Sequence, residues 1–185
     1  KQKTAYEIYQ CDWSSDVCSS DLSGLSPSQF RALSSAGVDL ITLGDHALRN
    51  REILSTLESD PRVCRPANMG PRCPGNDHAL TTLANGVRLA TFCVLGRTFM
   101  KPAECPLDTI DRLLDQLRTK ADILIVDLHA EATAEKQLLA RHLDGKVAAA
   151  LGTHTHVPTA DAQILPRGTA FQTDRKSTRL NSSHT

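Results

Sequence analysis

The chain has 185 residues, enough for one domain with a hydrophobic core. Its 21 Lys and Arg balance 21 Asp and Glu, so no excess of positive charge favours a large nucleic-acid surface or an anionic membrane. No apolar run approaches the length of a membrane span, and the first residues lack the apolar core of a secretion signal. We therefore expect a cytoplasmic protein whose six irregularly spaced cysteines are reduced thiols.

Both ends of the chain differ from its middle. The single Trp and both Tyr lie within the first thirteen residues, and residues 23–174 contain neither type. Residues 1–22, with their near-repeat of Ser-Ser-Asp, and the closing stretch Asp174 to Thr185 resemble translated sequencing-adapter text. We expect one domain over residues 23–174, with tails at 1–22 and 175–185 that are either non-native or disordered.

Hydrophobic periodicity predicts helices and strands that alternate along the body of the chain. The first helix begins with a capping-box pattern, in which Ser26 and Gln29 can satisfy each other's backbone and Pro27 fits the first turn. The predicted elements, in chain order, are a helix at 26–36, a strand at 38–43, a helix at 47–57, a strand at 87–95, a helix from 106, a strand at 122–128, a helix at 134–142, a strand at 147–151 and a hairpin-like pair at 163–165 and 169–172. This alternation favours an α/β fold with some parallel strand pairing.

Three of the predicted strands run into side chains that can bind a metal ion. Asp45 and His46 follow the first of them, His129 follows the strand at 122–128, and His154 and His156 follow the strand at 147–151. Ligands of open α/β sheets gather beyond the carboxyl ends of strands. In an extended segment, two histidines at i and i+2 point to the same side. A single histidine after a strand is more often structural, but three such strand ends together favour a metal site.

Several stretches resemble the YmdB-like metallophosphoesterases. They are Thr-Leu-Gly-Asp-His at 42–46, Arg-Pro-Ala-Asn at 65–68, the segment 126–136 around His129, and Gly-Thr-His-Thr-His-Val at 152–157. The resemblance covers nearly all of residues 23–174 in the right order. It implies a calcineurin-like fold, a two-sheet β-sandwich flanked by helices, with a dinuclear metal centre. It also implies hydrolysis of phosphodiesters, with 2′,3′-cyclic nucleotides as the substrates reported for the family.

The same resemblance implies a role for each candidate site residue. Asp45, His129 and His154 would ligate one metal ion, His156 would ligate the other, and His46 would be the catalytic histidine that binds neither. Imidazole ligands suit Fe, Mn or Zn better than Mg, and Fe and Mn are the first expectation here.

Other residues near these motifs have less certain roles. Arg65 and Asn68 either line the substrate cleft or form a structural turn. Glu131 is expected at the surface or in support of a ligand. We expect Asp127 to point away from His129 and either to be structural or to support a ligand.

Two departures from the family pattern bear on activity. The family usually has Asn where this chain has Asp45, and we expect tolerance because aspartate is a competent ligand of hard cations. Family members also carry an Asp-containing first strand and a Glu-Asn pair ahead of the segment matching Ser23, and residues 1–22 do not match them. The resemblance thus implies a chain truncated at both ends, without its N-terminal strand-helix unit, and both inactive and poorly stable as it stands.

Three functional interpretations follow from the sequence. The leading one is a metal-dependent phosphodiesterase that attacks a small phosphodiester or nucleotide with a metal-activated hydroxide, using two Fe or Mn ions, with Zn as a further candidate. The alternative is a non-catalytic metal- or nucleotide-binding module. A Zn hydrolase of non-phosphate substrates needs only three ligands but does not explain the length of the resemblance. An oligomer is compatible with each interpretation.

Overall fold

Six strands form one mixed sheet in the computed structural model, which describes residues 24–175. In spatial order they are β3 (Ala79–Thr82), β4 (Arg88–Leu95), β5 (Ile123–His129), β6 (Ala149–Thr153), β8 (Ala170–Gln172) and β7 (Gln163–Ile164). The four inner strands are mutually parallel, and β3 and β7 add one antiparallel strand at each edge. The inner strands are almost continuously apolar because both faces of the sheet are covered.

A second, smaller sheet faces the first. It consists of β1 (Ile41–Thr42) and β2 (Val63–Cys64), which pair in parallel. Leu40 and Cys64 of this region pack with Ile125 and Leu151 of the large sheet in one buried apolar cluster. Fully buried apolar surface of this kind contributes about 25 cal/mol per Å², so the contact between the sheets stabilises their arrangement. The α/β class, predicted from the alternation of helices and strands, is confirmed. The two facing sheets, predicted from the family resemblance, are confirmed as well.

Helices cover the outer face of the large sheet and the side of the small one. They are α1 (Pro27–Ser35), a 3₁₀ turn (Arg51–Ile53) that leads into α2 (Leu54–Ser59), α3 (Pro106–Leu117) and α4 (Thr133–Leu143). Leu113 of α3 and Leu139 of α4 pack against Phe92 and Val126 in the largest buried cluster. Because side chains alternate along β5, its other residues face the small sheet, and this face leads to the candidate site.

Most of the predicted elements are confirmed within a few residues, but the segment after β1 is not. Residues 45–49 form turns, and helical structure begins only at Arg51. The reason is local: the side chain of Asn50 accepts a hydrogen bond from the backbone N–H of Glu52 and caps the 3₁₀ turn. The strand predicted at 38–43 is reduced to Ile41–Thr42. Strands β2 and β3 were not predicted, because two and four residues are too short for a clear alternation.

Two further expectations concern membranes and thiols. Among residues 24–175, no helix is long and apolar enough to cross a bilayer. The cysteines in this range are free, and they are Cys64, Cys73, Cys93 and Cys105. Cys11, Cys18 and most of the two predicted tails lie outside the described residues.

The capping box of α1 gives a first testable prediction. Ser26 Oγ accepts from the backbone N–H of Gln29, and Gln29 Oε1 accepts from the backbone N–H of Ser26. Ser26→Ala is expected to lower the free energy of unfolding by about 1 kcal/mol, the usual cost of losing such a cap. Urea unfolding measures it, with Ser35→Ala at the exposed end of the same helix as the control. Equal stabilities of the two variants would contradict the prediction.

Candidate metal centre

Three strand ends meet at one point between the two sheets. Asp45 follows β1, His129 is the last residue of β5, and His154 follows β6 directly. The register of the parallel pair places His129 opposite Thr153, so His154 emerges beside the His129 ring. The structure thus brings together three of the four residues predicted as ligands, as the strand ends indicated. Their ligand roles stay predictions.

The spacing of the three donor atoms fits a single metal ion. Asp45 Oδ1 lies 3.1 Å from His129 Nε2, His129 Nε2 lies 3.1 Å from His154 Nδ1, and the third side, from Asp45 Oδ1 to His154 Nδ1, is 3.9 Å. A triangle with these sides has its centre about 2.0 Å from each corner, which is the ordinary length of a bond from zinc to nitrogen or oxygen. One carboxylate and two imidazoles also form a donor set that transition metals prefer.

The absence of a side chain at Gly44 makes room for this arrangement. A Cβ placed on Gly44 would lie 2.2 Å from His129 Cε1 and 2.6 Å from both ring nitrogens. No side chain can therefore occupy this position while the imidazole keeps its place. The glycine of the Gly-Asp-His motif is required by the close approach of the His129 ring to the backbone.

The charge of Asp45 suits a cation. A hydrogen bond from His129, opposed by partial burial and aided by the positive field of the neighbouring histidines, lowers the pKa of Asp45 to about 2. Asp45 is therefore a carboxylate throughout the neutral range. His46 Nδ1 lies 3.5 Å from Asp45 Oδ1, and the His46 side chain is partly exposed at the rim of the cluster.

Comparison with known proteins identifies the family of the chain. The family described as YmdB-like protein matches residues 17–180 of the chain. The chain belongs to the YmdB-like family. The resemblance noted from the sequence is thereby confirmed.

Three relatives illustrate this membership. A protein of Bacillus subtilis (strain 168) named 2′,3′-cyclic-nucleotide 2′-phosphodiesterase is 40% identical over 151 residues, which is 82% of this chain and 57% of the relative. The crystal structure of a hypothetical protein from Thermus thermophilus superposes with a TM-score of 0.77 at 47% identity, covering 83% of this chain and 59% of that one. A phosphatase structure from Mycoplasma pneumoniae gives a TM-score of 0.73 at 31% identity, covering 83% and 56%. The chain thus spans somewhat more than half the length of these relatives.

The structure does not bring His156 into the three-residue cluster. The cluster found among residues 24–175 contains Asp45, His129 and His154, while His156 is exposed. The extended segment expected at 154–156 is wrong, because His154 and His156 both adopt positive φ angles, 91° and 58°. The rule that i and i+2 share a side applies only to extended backbone. The YmdB-like assignment of His156 to a second metal ion stays a prediction.

Arg65 and Asn68 bind the backbone around them. The guanidinium of Arg65 donates to the carbonyls of Cys73 and Pro66. Asn68 is fully buried; its amide donates to the carbonyls of Leu95 and Glu104, and its Oδ1 accepts from the N–H of Leu95. These contacts support the structural-turn alternative for this motif. A role of either residue in substrate binding stays a prediction.

Two acids near the cluster contact its histidines, directly or through one hydroxyl group. Asp127 was expected to point away from His129, and this is wrong, because residues two apart in a strand share a face. Thr153 contacts both Asp127 and His129. Glu131 Oε2 lies 3.1 Å from His154 Nε2, the ring nitrogen on the far side from the cluster. The alternation of side chains along β5 puts Asp127 on the same face as His129, and this was the signal available in the sequence.

A buried ion pair fixes the loop that carries His154. Lys136 of α4 is fully buried, and its Nζ lies 2.9 Å from Asp174 Oδ2. Asp174 also accepts hydrogen bonds from the backbone N–H and the hydroxyl of Thr155. Asp174, which the sequence places at the boundary between domain and tail, therefore lies inside the domain. A lysine on the inner side of an amphipathic helix was the available signal, since a buried ammonium needs an acid.

Proposed function

We propose that this chain carries the metal-ligating part of a phosphodiesterase of the YmdB-like family, which acts on small phosphodiesters such as 2′,3′-cyclic nucleotides. The observation that carries the proposal is the triangle of Asp45, His129 and His154, whose donor atoms surround a point at metal-bond distance from each. Two relatives, one named a phosphodiesterase and one a phosphatase, support the same reaction class.

The donor set supports Fe, Mn or Zn as the metal. The role of His156 as a ligand of a second ion is what the resemblance to the YmdB-like family implies. When bound, two such ions would supply the Lewis acid that polarises the phosphate and lowers the pKa of a water. Asp45 contributes the negative charge that retains a cation, and the two imidazoles contribute neutral nitrogen donors. His46, which is partly exposed beside Asp45, would donate a proton to the leaving oxygen or stabilise charge on it.

The test uses a chimera in which the flanking segments of the Bacillus subtilis relative are joined to residues 24–174 of this chain. Hydrolysis of 2′,3′-cyclic nucleotides is measured with Mn²⁺ or Fe²⁺ present. We expect turnover that depends on metal and disappears with a chelator. Absence of turnover in a folded, metal-loaded chimera would argue against the proposal.

His46→Ala in the same chimera isolates the catalytic histidine. We expect kcat to fall by about 10²–10⁴-fold, the usual contribution of a general acid or base. The affinity for metal should stay within a few-fold, because His46 is not one of the three donors of the triangle. His142→Ala serves as the control, since His142 lies on α4 and pairs with Asp111. Equal turnover of the two variants would exclude the assigned role.

A non-catalytic metal-binding module is the second candidate. The observation that favours it is the single cluster of three donors among residues 24–175, with His156 outside it. Metal stoichiometry separates the two functions. Two tightly bound ions per chimera favour the enzyme, and one ion without turnover favours the binding module.

A further inference from the structure

A buried carboxylate joins the two sheets directly beneath the candidate metal centre. Asp127 of β5 is almost fully buried, and its two oxygens accept one hydroxyl proton each. Thr42 Oγ1 of β1 donates to Oδ2 at 2.7 Å, and Thr153 Oγ1 of β6 donates to Oδ1 at 2.7 Å. In both hydrogen bonds the hydroxyl is the donor and the carboxyl oxygen the acceptor.

This arrangement determines which hydrogen bond Thr153 can make to His129. The Thr153 oxygen lies 3.0 Å from His129 Nδ1. A hydroxyl has a single proton, and that of Thr153 already points to Asp127, so its oxygen can only accept from the ring. Nδ1 of His129 must therefore carry a proton. A ring whose only proton lies on Nε2 would set two lone pairs against each other at this buried contact. A ring protonated at both nitrogens keeps the contact with Thr153 and also donates from Nε2 to Asp45, and a cation at the site takes the place of that second proton.

We propose that Asp127 and Thr153 are positioning residues that hold His129 in the Nδ1–H form and so present the lone pair of Nε2 to a cation. The inference rests on the proposed metal centre, because Nε2 is the atom that faces Asp45 and His154. Ligating histidines commonly donate their second ring N–H to such a partner, which fixes the ring and raises its basicity. Here the carboxylate acts through an intervening hydroxyl, and both groups are buried.

The equivalent contact of His154 is more exposed to solvent. Its Nε2, which lies on the far side of the ring from the donor triangle, contacts Glu131, whose side chain is 48% exposed. Water can replace an exposed acceptor, whereas the His129 ring is fully buried and its Nδ1 meets the hydroxyl of Thr153 away from solvent. We call the two hydrogen bonds that link Asp127 to Thr153 and Thr153 to His129 the relay. The relay should therefore contribute more to metal affinity than Glu131 does.

Three variants of the full chain test the relay by Zn²⁺ titration against a competing chelator. Thr153→Val keeps the side-chain shape and removes the hydroxyl, and it should weaken Zn²⁺ binding by about 10–100-fold, as loss of an outer partner usually does. Thr153→Ser restores the hydroxyl and should restore the affinity. Thr42→Val is the matched control: it also takes one donor from Asp127, but it leaves the Thr153 hydroxyl beside His129 in place. It should lower stability without a comparable loss of affinity.

Nitrogen NMR of the imidazole rings gives a second readout that a purely structural role would not move. Because the Asp45 carboxylate also accepts from this ring at Nε2, the measurement uses an Asp45→Ala background, in alkaline buffer without metal. There we expect the His129 ring to carry its proton on Nδ1, and Thr153→Val to shift it towards Nε2. A bare Nδ1 in the Asp45→Ala chain, or equal affinities of Thr153→Val and Thr42→Val for Zn²⁺, would overturn the relay. An Nδ1–H ring in the Asp45→Ala chain, together with a wild-type chain that binds no Zn²⁺, would refute the metal centre and support the relay.

Discussion

His129→Gln is expected to abolish tight Zn²⁺ binding by the chain, with a loss of affinity larger than the roughly 10–100-fold cost of removing an outer partner. His129 supplies the corner shared by the two short sides of the donor triangle, each 3.1 Å. Without that nitrogen, Asp45 and His154 remain 3.9 Å apart with only two donors, which hold a transition metal weakly. Titration against a competing chelator measures the loss, and His142→Gln on α4 is the control for replacing a histidine elsewhere.

Gly44→Ala separates the geometry of the site from the identity of its ligands. This variant keeps all three donor groups, but its new Cβ would lie 2.2 Å from His129 Cε1, so the ring or the backbone after β1 must move. We expect a loss of affinity comparable to that of His129→Gln. Wild-type affinity for Zn²⁺ in Gly44→Ala alone would show that the site tolerates displacement of the His129 ring. Wild-type affinity in both Gly44→Ala and His129→Gln would exclude the donor triangle as a metal site.

The location of the candidate site could be predicted because it depends on strand ends. Asp45, His129 and His154 each follow an apolar run that the periodicity identifies as a strand. Parallel neighbours bring such ends to the same edge of a sheet, so spacing along the chain does not matter. The resemblance to the YmdB-like family added the assignment of each residue, and it placed the first of them in a facing sheet.

The orientation of individual side chains was harder to predict, because it depends on where the extended backbone stops. Strand β6 ends at Thr153, and the positive φ angles of His154 and His156 turn the next residues out of the strand pattern. Non-glycine residues seldom adopt this conformation, and no sequence signal marks it here. The alternation rule consequently fails for His156. The rule holds within β5, where it places Asp127 and His129 on the same face of the strand. The expectation that Asp127 points away from His129 was therefore wrong.

The tertiary partners of polar groups were not predictable at all from one sequence. Lys136 and Asp174 are 38 residues apart, and Thr42 and Asp127 are 85 apart. Each pair forms only because the strands and helices between them bring the two residues into contact. Composition predicts that the domain ends at about Asp174, because the polar stretch after it has no periodicity. It does not indicate that the carboxylate of this last residue is buried beside an ammonium group.

Lys136→Met is expected to be the most destabilising single substitution proposed for this chain, with a loss of about 3–5 kcal/mol in the free energy of unfolding. Lys136 and Asp174 each have a side chain only 1% exposed, so the substitution leaves a buried carboxylate without its cation. Asp174 Oδ1 already lacks a hydrogen-bond partner among residues 24–175, and the remaining donors to Oδ2 come from Thr155. Urea unfolding measures the effect, and Lys120→Met at an exposed position is the control.

The double variant Lys136→Met/Asp174→Asn tests whether the cost comes from the unpaired charge. An amide at position 174 removes that charge, so the double variant should be more stable than Lys136→Met alone, although each change by itself disturbs the pair. Because Thr155 lies between His154 and His156, loss of this anchor should also weaken Zn²⁺ binding, even though neither Lys136 nor Asp174 belongs to the donor triangle. A Lys136→Met chain as stable as Lys120→Met would show that Asp174 finds another partner, and the ion pair would then not be what holds the loop of His154.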